Sequence, residues 1–214
     1  MFVTFEGPEG GGKSTMVQRV AAAMLADAHE VVTTREPGAG ETGQRIRELL
    51  LHGPDMPPET ELLLFLADRA NHVRTVIRPA LEAGKIVLCD RFADSTWVYQ
   101  AYVRELDRAF VEAGNRFATG GLEPDLTILL DVEPEIGMAR FTSRDRIEAQ
   151  PIEFHKRIRE GFILRTADSS RWVIVDASQP EDAVFGRVWH AIHENPAYNL
   201  KRRPENGSGQ GTPK

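Results

Sequence analysis

The stretch GPEGGGKST, residues 7–15, decides how the rest of the sequence is interpreted. It follows the apolar run MFVTF and precedes residues 14–28, which are rich in helix formers and have a mostly apolar face. Glycines let successive backbone N–H groups turn inward around an anion, and the start of the following helix adds unpaired donors. The spacing G-x-x-x-x-G-K-[ST] is matched by Gly7, Gly12, Lys13 and Ser14. The stretch therefore predicts a loop that binds the phosphates of a nucleoside triphosphate.

Two side chains of this loop have specific predicted roles. Lys13 is expected to reach the β- and γ-phosphates, and the hydroxyl of Ser14 is expected to bind Mg²⁺. A glycine-rich turn that matches the motif by chance is the alternative, but the strand before the loop and the helix after it favour phosphate binding. The residues predicted to contact ATP are Gly7, Pro8, Glu9, Gly10, Gly11, Gly12, Lys13, Ser14 and Thr15.

The composition excludes some classes of protein. The chain has 214 residues, of which 41% are hydrophobic and 27% charged, and its formal net charge is −6. An acidic balance disfavours a nucleic-acid partner, and no apolar run approaches the roughly 20 residues that span a bilayer. The single cysteine, Cys89, lies inside the apolar run IVLCD and is predicted to pack in a buried strand. Together with the absence of a signal peptide before the first strand, these features predict a cytoplasmic protein with no membrane partner.

Strand and helix patterns alternate along the chain, which predicts an α/β protein with the P-loop NTPase fold. Its five-stranded parallel sheet should carry helices on both faces. The predicted strands are 1–5, 30–34, 85–90, 125–132 and 172–176. The predicted helices are 14–28, 42–52, 58–83, 94–103, 106–119, 135–141, 151–168 and 181–193. Pro79 should kink or end the third of these helices, and Gly84 should cap it. We expect one domain over residues 1–195 and a disordered tail over 196–214.

Ligands of such sheets bind beyond the carboxyl ends of the strands. Asp90 ends an apolar strand, which is where a metal-binding aspartate is expected. Arg91 follows it directly. A kinase must bring two anionic phosphates together, and an arginine beside the metal site suits that task. An ion pair between Arg91 and a helix carboxylate is the alternative.

Several stretches together resemble the bacterial thymidylate kinases of the P-loop nucleoside monophosphate kinase group. They are GPEGGGKST, TREPG at 34–38, LLFLADRANHV at 63–73, DRFADSTWVYQ at 90–100, PDLTILLDV at 124–132 and DRIE at 145–148. The resemblance covers residues 1 to about 195. It implies phosphorylation of dTMP to dTDP with ATP and Mg²⁺ in dTTP synthesis, a homodimer, and a short lid at about residues 141–150.

The resemblance also implies roles for individual residues. Glu9 would accept a hydrogen bond from the sugar 3′-hydroxyl, and Tyr99 would lie beneath the sugar, where a ribose 2′-hydroxyl would clash. Phe65 would stack on thymine, and Arg69 would bond the O4 side of the base. From the pattern LLLFL alone, core packing of Phe65 remains an open alternative. The full set implied to bind dTMP is Glu9, Pro37, Phe65, Arg69, Arg91, Ser95, Thr96, Tyr99 and Gln100. The residues implied to act in catalysis are Lys13, Arg91, Arg144 and Arg146, and those implied to hold the metal are Ser14 and Asp90.

The lid arginines are singled out because the phosphate loop has no basic residue between Gly7 and Gly12. Some members of the family place a catalytic arginine there, and others supply it from the lid. The segment FTSRDRIE, with Arg144 and Arg146, resembles the second arrangement, and Arg140 lies just before it. The sequence departs from the family at AYVRE, residues 101–105, where a glycine-rich run is common.

Two other functions remain as alternatives. The first is another P-loop nucleoside or nucleoside monophosphate kinase. The second is a P-loop switch protein or a remodeller of nucleic acids, but the chain lacks the Asn-Lys pair of a guanine signature and is acidic.

Overall fold

A parallel sheet forms the centre of the protein. The computed structural model describes residues 1–140 and 145–200. Within these ranges five strands form one sheet in the order β2-β3-β1-β4-β5, with every pair parallel. They are β1 Phe2–Glu6, β2 Val31–Arg35, β3 Ile86–Asp90, β4 Leu126–Asp131 and β5 Trp172–Asp176. The predicted fold class is confirmed, and each strand lies within one or two residues of its predicted range.

Helical segments connect the strands. In chain order they are α1 Lys13–Ala26, α2 Gly40–His52, α3 Pro58–His72, a π-helical turn Val73–Ile77, α4 Arg78–Glu82, α5 Ala93–Thr96, a second π-helical segment Trp97–Val103, α6 Arg108–Thr119, α7 Pro134–Met138, α8 Ile152–Thr166, α9 Glu181–Glu194 and α10 Pro196–Asn199. They cover both faces of the sheet. Successive side chains of a strand point to opposite faces, so neighbouring residues of β1 pack against different helices. Val3 and Phe5 pack with residues of α1 and α9, whereas Phe2 packs with Val73 and Ile77.

The predicted helix 58–83 contains a change of helix type. The amide of Arg78 donates to the carbonyl of Val73, a π-type bond. Pro79 has no N–H to donate, so the regular ladder cannot pass through it, and the irregular turn lies just before the proline. The predicted cap at Gly84 is confirmed, since its φ is +80° and its amide donates to Leu81.

The AYVRE stretch ends in a left-handed residue. Glu105 has a φ of +59°, a region that favours glycine, and it follows the segment Trp97–Val103. Asp107 then caps α6 by accepting from the amide of Phe110 at 2.7 Å. The backbone therefore takes a glycine-like conformation at a position where this sequence has no glycine.

The predicted end of the folded domain falls too early. Pro196–Asn199 form helix α10, and Tyr198 is only 1% exposed in the core cluster that α1 and α9 share. The predicted tail therefore cannot begin at residue 196; its part from 201 to 214 lies outside the described residues. Cys89 is fully buried, as predicted. In the part of the chain that the structure describes, no helix is long and apolar enough to cross a membrane.

Candidate active site

A cavity of about 570 Å³ opens at the carboxyl ends of β1, β2 and β3. It brings together most of the side chains that the sequence singled out. Those lining it are Glu9, Gly10, Gly11, Gly12, Lys13, Ser14, Thr15, Pro37, Phe65, Arg69, Asp90, Arg91, Ser95, Thr96, Tyr99 and Gln100. Gly7 and Pro8 do not line the cavity, but their carbonyls accept hydrogen bonds from Lys13 Nζ at 3.0 and 2.7 Å.

The phosphate loop leaves the N-terminus of α1 open to a ligand. Among the described side chains, none caps this helix end and no acidic residue lies in its first turn. Its amides and positive dipole end therefore suit an anion. Burial lowers the pKa of Lys13 to about 8, and the nearby Arg91 adds to the shift. A bound polyphosphate would take the place of the two carbonyls as the partner of this ammonium group.

The loop also depends on a close backbone contact that the sequence analysis missed. A Cβ at Gly10 would lie 2.1 Å from the carbonyl oxygen of Gly137, and a Cβ at Gly137 would lie 2.3 Å from that of Glu9. Gly137 belongs to α7, so the loop and this helix can meet only because both positions are glycine. A glycine inside a short helix is the one sequence signal that could have indicated this contact.

A hydroxyl and a carboxylate oxygen meet beside the loop. Ser14 Oγ donates to Asp90 Oδ2 at 2.5 Å. Asp90 is the last residue of β3, and Ser14 lies in the first turn of α1. A hydroxyl and a carboxylate beside a phosphate site are ligands that Mg²⁺ takes, since it usually retains waters and adds phosphate oxygens. The residues present thus fit the metal that the sequence predicted.

Glu9 is the centre of a buried cluster. Its Oε1 accepts from Arg91 Nη2 at 3.1 Å and from the hydroxyl of Tyr99, and its Oε2 lies 3.4 Å from His155 Nδ1. Burial alone would raise the pKa of Glu9, but Arg91 and the hydrogen bonds outweigh it and lower this pKa to about 2. His155, 1% exposed, was missed because it lies 146 residues away in sequence.

Arg91 is held in a strained turn. Its φ is +67°, a conformation that costs a non-glycine residue about 1–2 kcal/mol. Glu6 supports the turn by accepting from the amide of Phe92 at 2.8 Å and from Ser95 Oγ at 2.6 Å, and Ser95 in turn accepts from Arg91 Nη1 at 3.1 Å. Burial, and next the charge of Asp94, raise the pKa of Glu6 to about 7. Such strain persists only where surrounding contacts hold it, and it concentrates at functional sites.

The N–H donors of Arg69 all form hydrogen bonds within the protein. Nε and Nη2 bond Glu36, at 2.9 and 2.8 Å, and Nη2 also donates to the carbonyl of Phe92 at 3.0 Å. Nη1 donates to Thr96 at 2.9 Å and to Asn115 at 2.7 Å. Because a guanidinium has five N–H donors, Arg69 has none to spare for a base in this structure. Its predicted direct bond to O4 stays a prediction, and the geometry supports an action through Thr96.

Phe65 lies one helical turn before Arg69 and is half-buried at the cavity wall. Among the described residues, Phe65 belongs to none of the hydrophobic core clusters, and its stacking on a base stays a prediction. Across the cavity, Arg47 donates to the carbonyl of Pro37 at 2.9 Å. Burial, and then the like charge of Arg35, lower the pKa of Arg47. Arg35 and Arg47 both line the cavity. Arg35 follows the second predicted strand, where the sequence indicated ligand contacts, whereas no sequence signal pointed to Arg47.

The predicted lid arginines fall in different places. Arg144 lies outside the described residues. Arg146 does not line the cavity; it donates to Glu61 at 2.5 Å and to the carbonyl of Leu50 at 2.9 Å. Arg140 does line it and donates to the carbonyl of Gly10 at 2.6 Å. The catalytic roles of Arg144 and Arg146 stay predictions.

The fold and the cavity define a P-loop α/β protein that binds nucleotides. A family model described as thymidylate kinase matches residues 5–188. The thymidylate kinase of Synechococcus sp. (strain JA-2-3B'a(2-13)) is 46% identical over 193 residues, covering 90% of this chain and 94% of that protein. The thymidylate kinase of Nitratidesulfovibrio vulgaris (strain DP4) is 50% identical over 198 residues, covering 86% and 88%. That of Desulfovibrio desulfuricans (strain ATCC 27774) is 48% identical over 216 residues, covering 95% and 98%. The chain belongs to the thymidylate kinase family.

Proposed function

We propose that this protein transfers the γ-phosphoryl group of ATP to the phosphate of dTMP, forming ADP and dTDP for dTTP synthesis. One observation carries the proposal. A single cavity joins an open phosphate loop to a second cationic site at Arg91, with Phe65 and Tyr99 beyond it. A hydrolase or a switch protein has no need of this second, nucleotide-sized half.

The phosphate loop would hold the donor. The N-terminus of α1 and Lys13 would bind the β- and γ-phosphates, and the ammonium group would stabilise charge that develops during transfer. Ser14 and Asp90 would hold Mg²⁺, which when bound neutralises charge on the phosphate oxygens. Arg140, beside Gly10, and the lid arginines Arg144 and Arg146 would add positive charge and exclude water when the lid closes.

The other half of the cavity would hold the acceptor. Arg91 would bind the phosphate of dTMP, in line with the donor. Glu9 would accept from the 3′-hydroxyl, since its lowered pKa keeps it an acceptor near neutral pH. Tyr99 would leave no room for a 2′-hydroxyl, and Phe65 would stack on the base. Ser95 and Pro37 would shape the phosphate end, and Thr96 and Gln100 the base edge.

The substrate panel tests this assignment against another nucleotide kinase. With ATP and Mg²⁺, we expect kcat/KM to be highest for dTMP and next highest for dUMP, because one methyl group is worth about 1–3 kcal/mol. UMP should be a far poorer substrate because Tyr99 leaves no room for its 2′-hydroxyl. dCMP should also be far poorer because its amino group cannot pair with the groups at the base edge, and each unpaired polar group costs about 1–3 kcal/mol of binding free energy. Equal turnover of dCMP or UMP would identify a different nucleotide kinase. ATP hydrolysis with no acceptor phosphorylated would exclude the proposal altogether.

We also propose a homodimer. Three apolar side chains are exposed on neighbouring helices α3 and α6: Leu63 by 56%, Phe110 by 55% and Phe117 by 88%. Phe110 and Phe117 lie about two helical turns apart on one face of α6. Exposed apolar groups on one face mark interaction surfaces, and a second copy of the chain is the partner that the family resemblance implies. The sedimentation mass at micromolar concentration tests this. The cytoplasmic location and the absence of a nucleic-acid partner stay predictions from the sequence.

A further inference from the structure

A buried carboxylate outside the cavity contacts a residue of its base-binding end. Glu61 lies near the start of α3, and its side chain is 3% exposed. Its Oε1 accepts from Gln100 Nε2 at 2.9 Å and lies 3.6 Å from Arg104 Nε, while its Oε2 accepts from Arg146 at 2.5 Å. Two guanidinium groups and one amide therefore converge on this carboxylate.

The contact fixes the orientation of the Gln100 amide. A carboxylate flanked by two cations only accepts hydrogen bonds, so Gln100 must turn its NH₂ group towards Glu61. The reversed amide would place its oxygen against a carboxylate oxygen. With the NH₂ group on Glu61, the amide oxygen Oε1 of Gln100 can accept a hydrogen bond, and no donor among the described residues bonds it. Gln100 is 1% exposed and lines the cavity, so this acceptor is available only to a ligand.

Thr96, one helical turn before Gln100, offers a hydroxyl that can donate. Its Oγ1 accepts from Arg69, which can only donate, so the hydroxyl proton of Thr96 remains available. Glu36 holds Arg69 in place by the two bonds described above. The cavity thus presents a hydroxyl that can donate beside an acceptor, and the direction of that acceptor is set by the buried Glu61.

This pair matches one kind of pyrimidine edge. Uracil and thymine carry an N–H at position 3 next to a carbonyl at position 4, whereas cytosine carries a bare nitrogen next to an amino group. An acceptor at Gln100 and a hydroxyl donor at Thr96 fit the first pattern. The second pattern is opposed at Gln100, where the amide oxygen would meet the bare nitrogen, so the discrimination depends on the orientation of the Gln100 amide.

We infer that Glu61 is a positioning residue for specificity: by orienting the Gln100 amide, it makes the site select 4-oxo-pyrimidine nucleotides over 4-amino ones. The inference rests on the proposed function, because it takes the cavity to hold a pyrimidine nucleotide. It adds a residue that touches no substrate and that acts only through Gln100.

The test is the ratio of kcat/KM for dTMP to that for dCMP in Glu61→Gln. An amide at position 61 can donate or accept, so Gln100 becomes free to turn its NH₂ group into the cavity. We expect the ratio to fall by at least about 10-fold, the effect of one mispaired polar group. A purely structural role for Glu61 would lower both values together and leave the ratio unchanged, and that result would overturn the inference.

Three further variants make the test specific. Gln100→Met keeps the side chain's length but has no amide, so the ratio should fall there too, and adding Glu61→Gln should change it no further. A further fall in the double variant would show that Glu61 does not act through Gln100. Glu112→Gln, at an exposed carboxylate on α6, should leave the ratio unchanged. Failure of the proposed function is separate, since the unmodified protein would then not phosphorylate dTMP.

Discussion

Replacing Lys13 by alanine is expected to lower kcat by about 10²–10³-fold or more and to leave the protein folded. Lys13 is the cation within the phosphate loop itself, and its Nζ lies against the loop carbonyls of Gly7 and Pro8. The alanine side chain removes the charge that would stabilise the phosphoryl group in transfer. The loop backbone and the open end of α1 would remain, so ATP binding should weaken less than kcat falls. Single-turnover kinetics with ATP and dTMP measure the first effect, and a nucleotide titration measures the second.

The matched control is Lys156→Ala. Lys156 is 42% exposed on α8 and pairs with Glu135 and Glu153, and exposed pairs of this kind contribute about 0–1 kcal/mol. Its kcat should therefore be unchanged. Circular dichroism and a thermal melt establish that both variants are folded. Near-normal turnover in folded Lys13→Ala would remove the phosphate loop from the mechanism.

The fold could be predicted from the sequence because its signals are local. Each strand is a short apolar run, and the phosphate loop lies between the first run and a helix. The predictions were wrong where a tertiary contact or a proline overrides the local pattern. The disordered tail was predicted to begin at residue 196, but Tyr198 packs into the core. The helix 58–83 carries a π-helical turn because Pro79 interrupts its hydrogen bonds.

The site was only partly predictable, for a physical reason. Residues that follow strands, such as Asp90 and Arg91, are found by position in the sheet. Glu36 directly follows β2 and is found in the same way, but Glu6 and Glu61 lie within a strand and a helix, where the sequence pattern places a charge on a solvated face. Their partners Ser95 and Gln100 lie 89 and 39 residues away in sequence. No spacing rule connects such pairs, so only the folded arrangement shows that these charges are buried and paired.

The role of Arg69 illustrates the same limit. A stacking ring followed four residues later by an arginine suggests a direct contact with a base. In the structure Arg69 is 1% exposed, and its guanidinium is bonded to Glu36, Thr96, Asn115 and a backbone carbonyl. Sequence indicates which face of α3 the two residues share. It does not indicate how many of the five donors the protein itself uses.

Arg91→Ala is expected to reduce kcat/KM for dTMP by about 10²–10⁴-fold, since two charge-assisted hydrogen bonds of about 1.5–3 kcal/mol each would be lost from the acceptor phosphate. Arg91→Lys should fall between this variant and the unmodified protein, because a lysine keeps the charge but cannot form the two-pronged contact. The guanidinium is already positioned, since Glu9 and Ser95 hold it at 3.1 Å each and only 18% of the side chain is exposed. Little reorganisation is therefore needed when dTMP binds, and most of each bond's value should appear in the kinetics.

The measurement separates the two substrates. KM for dTMP should rise and kcat should fall in both variants, whereas KM for ATP should change by less than about threefold, because Lys13 and the N-terminus of α1 bind the donor. Arg45→Lys is the matched control, since Arg45 is 79% exposed and, within residues 1–140 and 145–200, forms an ion pair only with Glu41 on the same helix. If the Arg91 variants instead raised KM for ATP and left KM for dTMP unchanged, Arg91 would belong to the donor site. The acceptor phosphate would then have to lie nearer to Arg35 and Arg47, the two other arginines that line the cavity beside Pro37.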